Sequence, residues 1–170
     1  PEEIFKLEEV LTDSNLLVPF ELQLYQQVML DDELNKDERL APASMTKLMT
    51  MLLIMEALDD NRIELTDKVP ISKNAASMGG SQVFLEENSE IEVEQLLKGI
   101  AIASGNDAAV AMAEYIAGNT DEFVNMMNNK VKELGLSNTN FVNVHGLDEE
   151  NHYSSAYDMV QIAKELLKHK

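Results

Sequence analysis

The chain has 170 residues, 45% of them apolar, which is enough for one globular core, and it carries 31 acidic against 13 basic residues for a formal charge of -18. That balance excludes nucleic acid as a partner, because phosphate binding needs clustered Lys and Arg, and it reads as a well-solvated acidic surface. There is no cysteine, hence no disulfide and no thiolate chemistry, and no apolar run approaches the roughly 18 residues of a membrane-spanning helix.

The opening Pro1-Glu2-Glu3 does not resemble a signal peptide, so in an exported protein the signal would have been removed before residue 1. Residues 1–34 are set apart as an N-terminal segment. Within it, residues 16–18 and 21–30 fit strands or a helix equally well, and no glycine precedes Gly79 to make a tight hairpin turn. Pro42 then introduces a helical run over residues 44–58, which Asp59-Asp60 and Asn61 end. Residues 92–104 place Val93, Leu96, Leu97, Ile100 and Ala101 at helical spacing, with Gly105 as the stop. Another helix begins near Asp107 and ends before Gly118. Residues 120–134 carry Phe123, Met126, Met127, Val131 and Leu134 on one face, followed by Gly135 as a C-cap. The last helix starts near Ser154, where Ser155 and Asp158 have capping-box spacing. Short strands are expected at 68–71, 81–85, 89–93 and 140–144.

The chemistry concentrates at Pro42-Ala43-Ser44-Met45-Thr46-Lys47. Between Ser44 and Met55 the one charged residue is Lys47, in a helix apolar around most of its circumference and therefore buried. A desolvated ammonium loses hydration and its pKa falls, so the neutral amine can take a proton from a nearby hydroxyl. At i and i+3, Ser44 and Lys47 share a face within hydrogen-bond reach, a nucleophile with its base, and Ser44 lies at a helix N-terminus where free N–H groups favour an oxyanion. On spacing alone the plainer reading is better: Ser-x-x-Lys arises by chance about once in a chain this long, with Ser44 an N-cap and Lys47 snorkelling. The apolar context reverses that order.

The second element is Ser104-Gly105-Asn106, at a break between helices. Ser72-Lys73-Asn74 repeats its spacing, so the pattern alone decides nothing; an apolar helix before it and the small residues from Asp107 to Ala113 after it distinguish Ser104. His145 either borders the cleft or packs beneath a Gly-Leu turn, and Gly79-Gly80-Ser81 is either a cleft edge or an ordinary loop. His145, His152 and His169 lack the spacing of metal ligands, so no metal is expected, and no cofactor.

Together the two elements resemble the Ser-x-x-Lys and Ser-x-Asn motifs of penicillin-binding proteins and serine beta-lactamases. The longer strings Leu40-Ala41-Pro42-Ala43-Ser44-Met45-Thr46-Lys47, Gly99-Ile100-Ala101-Ile102-Ala103-Ser104-Gly105-Asn106-Asp107-Ala108 and Val144-His145-Gly146-Leu147, with Tyr153-Ser154-Ser155-Ala156 downstream, are similar to the low-molecular-mass serine D-alanyl-D-alanine carboxypeptidases. The resemblance spans about residues 35–170. It implies an α+β fold of the beta-lactamase and penicillin-binding-protein transpeptidase type, of which residues 35–170 supply the mostly helical part. It further implies that Ser44 attacks the D-Ala-D-Ala peptide bond, that Lys47 is the base and Ser104 a proton relay, and that Asn106, His145 and Ser81 contact substrate. Peptidoglycan stem peptides and beta-lactams are the implied partners, at the bacterial cell envelope outside the cytoplasmic membrane.

Two departures accompany the resemblance. The family's third motif, Lys-Thr-Gly on a strand walling the cleft, does not occur among the 170 residues, and residues 1–34 do not match the strands that should precede Asn35. The expectation is a piece of a longer enzyme, with that strand and any C-terminal amphipathic membrane segment beyond residue 170. Loss of one oxyanion donor costs about 3 to 4 kcal/mol, so this chain alone should be weakly active or inactive. A beta-lactamase is disfavoured, because Gly105 replaces the Asp of Ser-Asp-Asn and no Glu-x-x-x-Asn follows. A non-catalytic homologue that keeps the fold is the third reading.

Overall fold

The computed structural model describes residues 35–169. The expectations for residues 16–18 and 21–30, and the segment 1–34 as a whole, lie outside the described residues.

Among the described residues, six α-helices and one small sheet follow in order: α1 (Thr46–Asp59), β1 (Lys68–Pro70), α2 (Lys73–Ala76), β2 (Glu90–Glu92), α3 (Val93–Ala103), α4 (Asn106–Ala117), α5 (Thr120–Glu133) and α6 (Ala156–Leu166). Helix α1 is central. It packs against α3, α4, α5 and α6, and Met49, Leu52, Ile54 and Ala57 are wholly buried along it. A helix apolar on nearly every side must be covered on nearly every side, and the Ala-rich α4 permits the close approach this needs. Strands β1 and β2 pair antiparallel, with Val69 opposite Ile91 and the Lys68–Glu92 ion pair across the ladder.

Helix ends follow local rules where polar caps exist. Asn119 accepts the Glu122 N–H at 2.8 Å to start α5, and Ser155 accepts the Asp158 N–H at 3.2 Å to start α6. The end of α3 corrects the sequence expectation. The left-handed residue is Ser104, at φ +54, whereas Gly105 is at φ −60. The space there is tight: a Cβ would lie 3.0 Å from Asp107 Oδ1 and 3.3 Å from the Gly99 carbonyl.

Two expected strands are not strands. Over 81–85 a single carboxylate takes the place of a partner strand, because Asp107 accepts the N–H groups of Val83 and Leu85 at 3.1 Å. Over 140–144 only Asn140 forms a bridge, with Tyr153. Asn128 holds both the N–H and the carbonyl of Phe141, and His152 Nδ1 accepts from Val142 N–H. Both segments have strand composition, but side chains take several of their backbone groups, and among the described residues no ladder forms.

Candidate active site

Ser44 does not open the α-helix itself. It sits in a 3₁₀ turn, Ala43–Met45, that leads into α1 at Thr46, and Ala43 takes φ +48, which L residues avoid. The turn is held by a glycine that touches it. Gly146, at φ +89, lies so near that a Cβ would overlap the Ala43 carbonyl and come within 2.9 Å of Thr46 Oγ1. Asn143 fixes that approach by accepting the Gly146 N–H at 2.7 Å on its side-chain oxygen.

A cleft of about 310 Å³ opens at this turn. It is lined by Ala43 and Ser44, by Gly80 and Ser81, by Asn106 and by residues 145–148. Ser44 is exposed to it, while Asn106 is only 4% exposed and donates from Nδ2 to the Gly79 carbonyl at 2.7 Å. The Asn106 N–H also donates to the Ser81 carbonyl at 2.8 Å, so the start of α4 and the glycine loop hold each other. At Gly80 a Cβ would stand 2.7 Å from Asn106 Nδ2, and only glycine permits that approach.

Lys47 lies beneath the cleft, 3% exposed, with Nζ donating to the His145 carbonyl at 2.8 Å. Burial draws its pKa down from 10.5 to about 8. The expected Ser44–Lys47 hydrogen bond is not made among the described residues. One of the amine's donors is engaged by a carbonyl from a distant loop, which spacing along a helix does not anticipate. His145 lines the cleft, and its Nδ1 accepts the Leu147 N–H at 3.2 Å across the Gly-Leu turn. Burial and then the Lys47 charge push its pKa down to about 4, so the ring is neutral near pH 7.

Ser104 does not line the cleft. Its Oγ is buried without a hydrogen-bond partner among the described residues, an unfavourable state for a hydroxyl unless something else uses it. Thus Ser44, Ser81, Asn106 and His145 meet at one cleft, and Lys47 and Ser104 lie outside its lining. Sequence reasoning missed Asn143, Asp148 and His152, and the need for Gly146 beside Ala43. The tight glycine-bearing string at 144–147 was the available signal, but the partner it presses on is about a hundred residues away.

The family model for D-alanyl-D-alanine carboxypeptidases, Peptidase S11, matches residues 26–170. The chain belongs to this family. It is 68% identical over 135 residues to D-alanyl-D-alanine carboxypeptidase DacF of Bacillus subtilis, covering 79% of this chain and 35% of that protein. To DacA of Escherichia coli it is 44% identical over 142 residues, covering 80% and 35% respectively. The chain therefore spans about a third of the length of these curated relatives. Among solved structures, penicillin-binding protein 5 from Haemophilus influenzae superposes with a TM-score of 0.77 at 44% identity, over 79% of this chain and 40% of that one. Penicillin-binding protein D2 from Listeria monocytogenes, in its ampicillin-bound form, gives 0.69 at 28% identity over 79% and 54%. The fold of this S11 chain is accordingly that of the penicillin-binding proteins, represented by a helix-rich part with a two-stranded sheet.

Proposed function

We propose that the protein carrying this chain is a serine-type D-alanyl-D-alanine carboxypeptidase that removes the terminal D-alanine from peptidoglycan stem peptides outside the cytoplasmic membrane. The observation that carries the reading is an amine buried to 3% exposure, with its pKa lowered to about 8, one helical turn beyond a hydroxyl that faces a cleft. Family membership supports it.

In this reading the Ser44 hydroxyl loses its proton to the neutral Lys47 amine as its oxygen bonds to the carbonyl carbon. The C–N bond to the terminal D-alanine then breaks, and the departing amine takes the proton carried by the Lys47 ammonium, with Ser104 as the relay; its Oγ lies outside the cleft lining but is buried with no hydrogen-bond partner among the described residues. Asn106 and Ser81 hold the peptide backbone, His145 borders the acyl group, and water hydrolyses the ester. A beta-lactam presents a similar carbonyl and acylates the same oxygen, with slower release.

The test uses the complete gene product with a fluorescent penicillin. A lasting adduct on the wild type that is lost in Ser44→Ala, with release of D-alanine from a D-Ala-D-Ala peptide, is the expected result. Rapid penicillin turnover would favour a beta-lactamase, and penicillin or peptide binding without covalent labelling would mean a non-catalytic homologue; either outcome overturns the reading.

A further inference from the structure

His152 is a buried imidazole, 5% exposed, that the chemistry above leaves without a part. Its Nδ1 lies 3.1 Å from the Val142 nitrogen and its Nε2 2.8 Å from Thr46 Oγ1. A backbone N–H can only donate, so Nδ1 is the acceptor, and the neutral ring carries its proton on Nε2 and donates it to Thr46. A doubly protonated ring would set N–H against the Val142 N–H. Burial lowers the pKa of His152, against the opposing pull of Glu149 and Asp148, which keeps the ring in the required form. Phe141 packs against it, with ring centroids 5.8 Å apart.

What this ring holds is the turn that bears Ser44. Thr46 is the first residue of α1, between Ser44 and Lys47, and its hydroxyl faces the place where Gly146 presses on the Ala43 carbonyl. Ala43 at φ +48 is a conformation costing about 1 kcal/mol or more, so the turn needs outside contacts to persist. Lys47 and Thr50 are tied to the carbonyls of His145 and Val144, and His152 adds a third tie between α1 and the same loop, at the position nearest Ser44.

We propose that His152 is a positioning residue: by donating to Thr46 and accepting from Val142 N–H, it holds the Ser44 turn against the 142–146 loop in the geometry that acylation requires. The proposal rests on Ser44 being the acylated nucleophile. It assigns His152 no contact with substrate.

The test measures the rate constant for acylation by a fluorescent penicillin, per folded molecule of the complete gene product, alongside the melting temperature. Thr46→Val removes the acceptor of the ring's proton, Thr46→Ser restores it, and His152→Asn keeps an acceptor for Val142 while losing the donor to Thr46. Thr46→Val and His152→Asn should each slow acylation by about 10- to 100-fold, the scale on which small misplacements of reacting groups act. The double variant should be no slower than the slower single one, and Thr46→Ser should recover to within about threefold of wild type. Acylation at the wild-type rate in Thr46→Val, or losses that multiply in the double variant, would overturn the proposal; so would a loss that disappears once the folded fraction is corrected for. Should His152→Asn fail to fold, the Thr46→Val and Thr46→Ser pair decides. A wild-type protein that is never acylated would instead overturn the serine reading itself, a result separable from all of these.

Discussion

Helices α1 and α5 are each 14 residues long, yet they solve different problems. Helix α5 buries a stripe, Phe123, Met127 and Val131, and leaves Asp121, Glu122 and Lys132 to water. Its ends are capped by Asn119 and followed by Gly135 at φ +69. Helix α1 is buried nearly all round, and three of its buried residues are polar. Those three, Thr46, Lys47 and Thr50, all bond to one distant stretch, through His152 Nε2 and the carbonyls of His145 and Val144. An amphipathic helix is stabilised by one apolar face. A helix with polar groups in the core depends on specific partners, because each unpaired buried group costs about 1 to 3 kcal/mol. Helix α5 is scaffold, whereas α1 holds the candidate active site at its first turn, and the difference predicts where substitutions act.

The sharpest test of that contrast is Lys47→Ala, which should reduce acylation of the complete gene product by a fluorescent penicillin by about 10²- to 10⁴-fold, the usual contribution of a general base. Acylation within threefold of wild type would remove the functional distinction between the two helices. Next is Gly146→Ala, whose Cβ would overlap the Ala43 carbonyl. It should cost about 3 kcal/mol or more in a denaturant titration and abolish labelling of Ser44. Gly135→Ala, just past α5, has a left-handed φ but nothing within 4 Å of the added methyl, so about 1 kcal/mol and unchanged labelling are expected.

Acidity provides a graded probe of the same amine. With Lys47 lowered to about 8, roughly a tenth of it is neutral at pH 7 and half at pH 8. With the unprotonated amine acting as the base, as proposed, acylation should rise about fivefold across that unit and level off above pH 9. His145, pushed down to about 4, is neutral throughout this range and does not mask the rise. A rate flat from pH 6 to pH 9 would show that the amine does not limit acylation. The smallest effect belongs to the scaffold: Asn119→Ala removes the α5 cap and should lower stability by about 1 kcal/mol in thermal unfolding, with acylation unchanged.

The five longer helices were legible from local chemistry, whereas the one-turn α2, capped by Ser72 accepting the Ala75 N–H, was not read. The stripe of α5, the Ser155 cap of α6 and the apolar run of α1 fall within a residue or two of expectation. The segments 81–85 and 140–144 were misread because strand composition cannot say what will pair with the backbone. Asp107 supplies that partner in one case, and Asn128 and His152 in the other. At the candidate site, Ser44, Lys47, Ser104 and Asn106 could be named from spacing and context. The partner of Lys47 could not, since His145 is 98 positions away in the chain.

What the amino-acid order determined by itself was the five longer helices, the family, and an amine placed where water cannot reach it. The helices and the buried amine depend on periodicity and composition, which act within a few turns of helix, and the family on the resemblance of the strings at 40–47, 99–108 and 144–147. What only the tertiary structure decided was that Gly146 presses on the Ser44 turn, that the Lys47 amine donates to a loop carbonyl, that Ser104 Oγ has no hydrogen-bond partner among the described residues, and that His152 reaches Thr46. Each of the formed contacts joins positions far apart in the chain, and hydrogen-bond geometry is set by how packed elements meet, which no local pattern encodes.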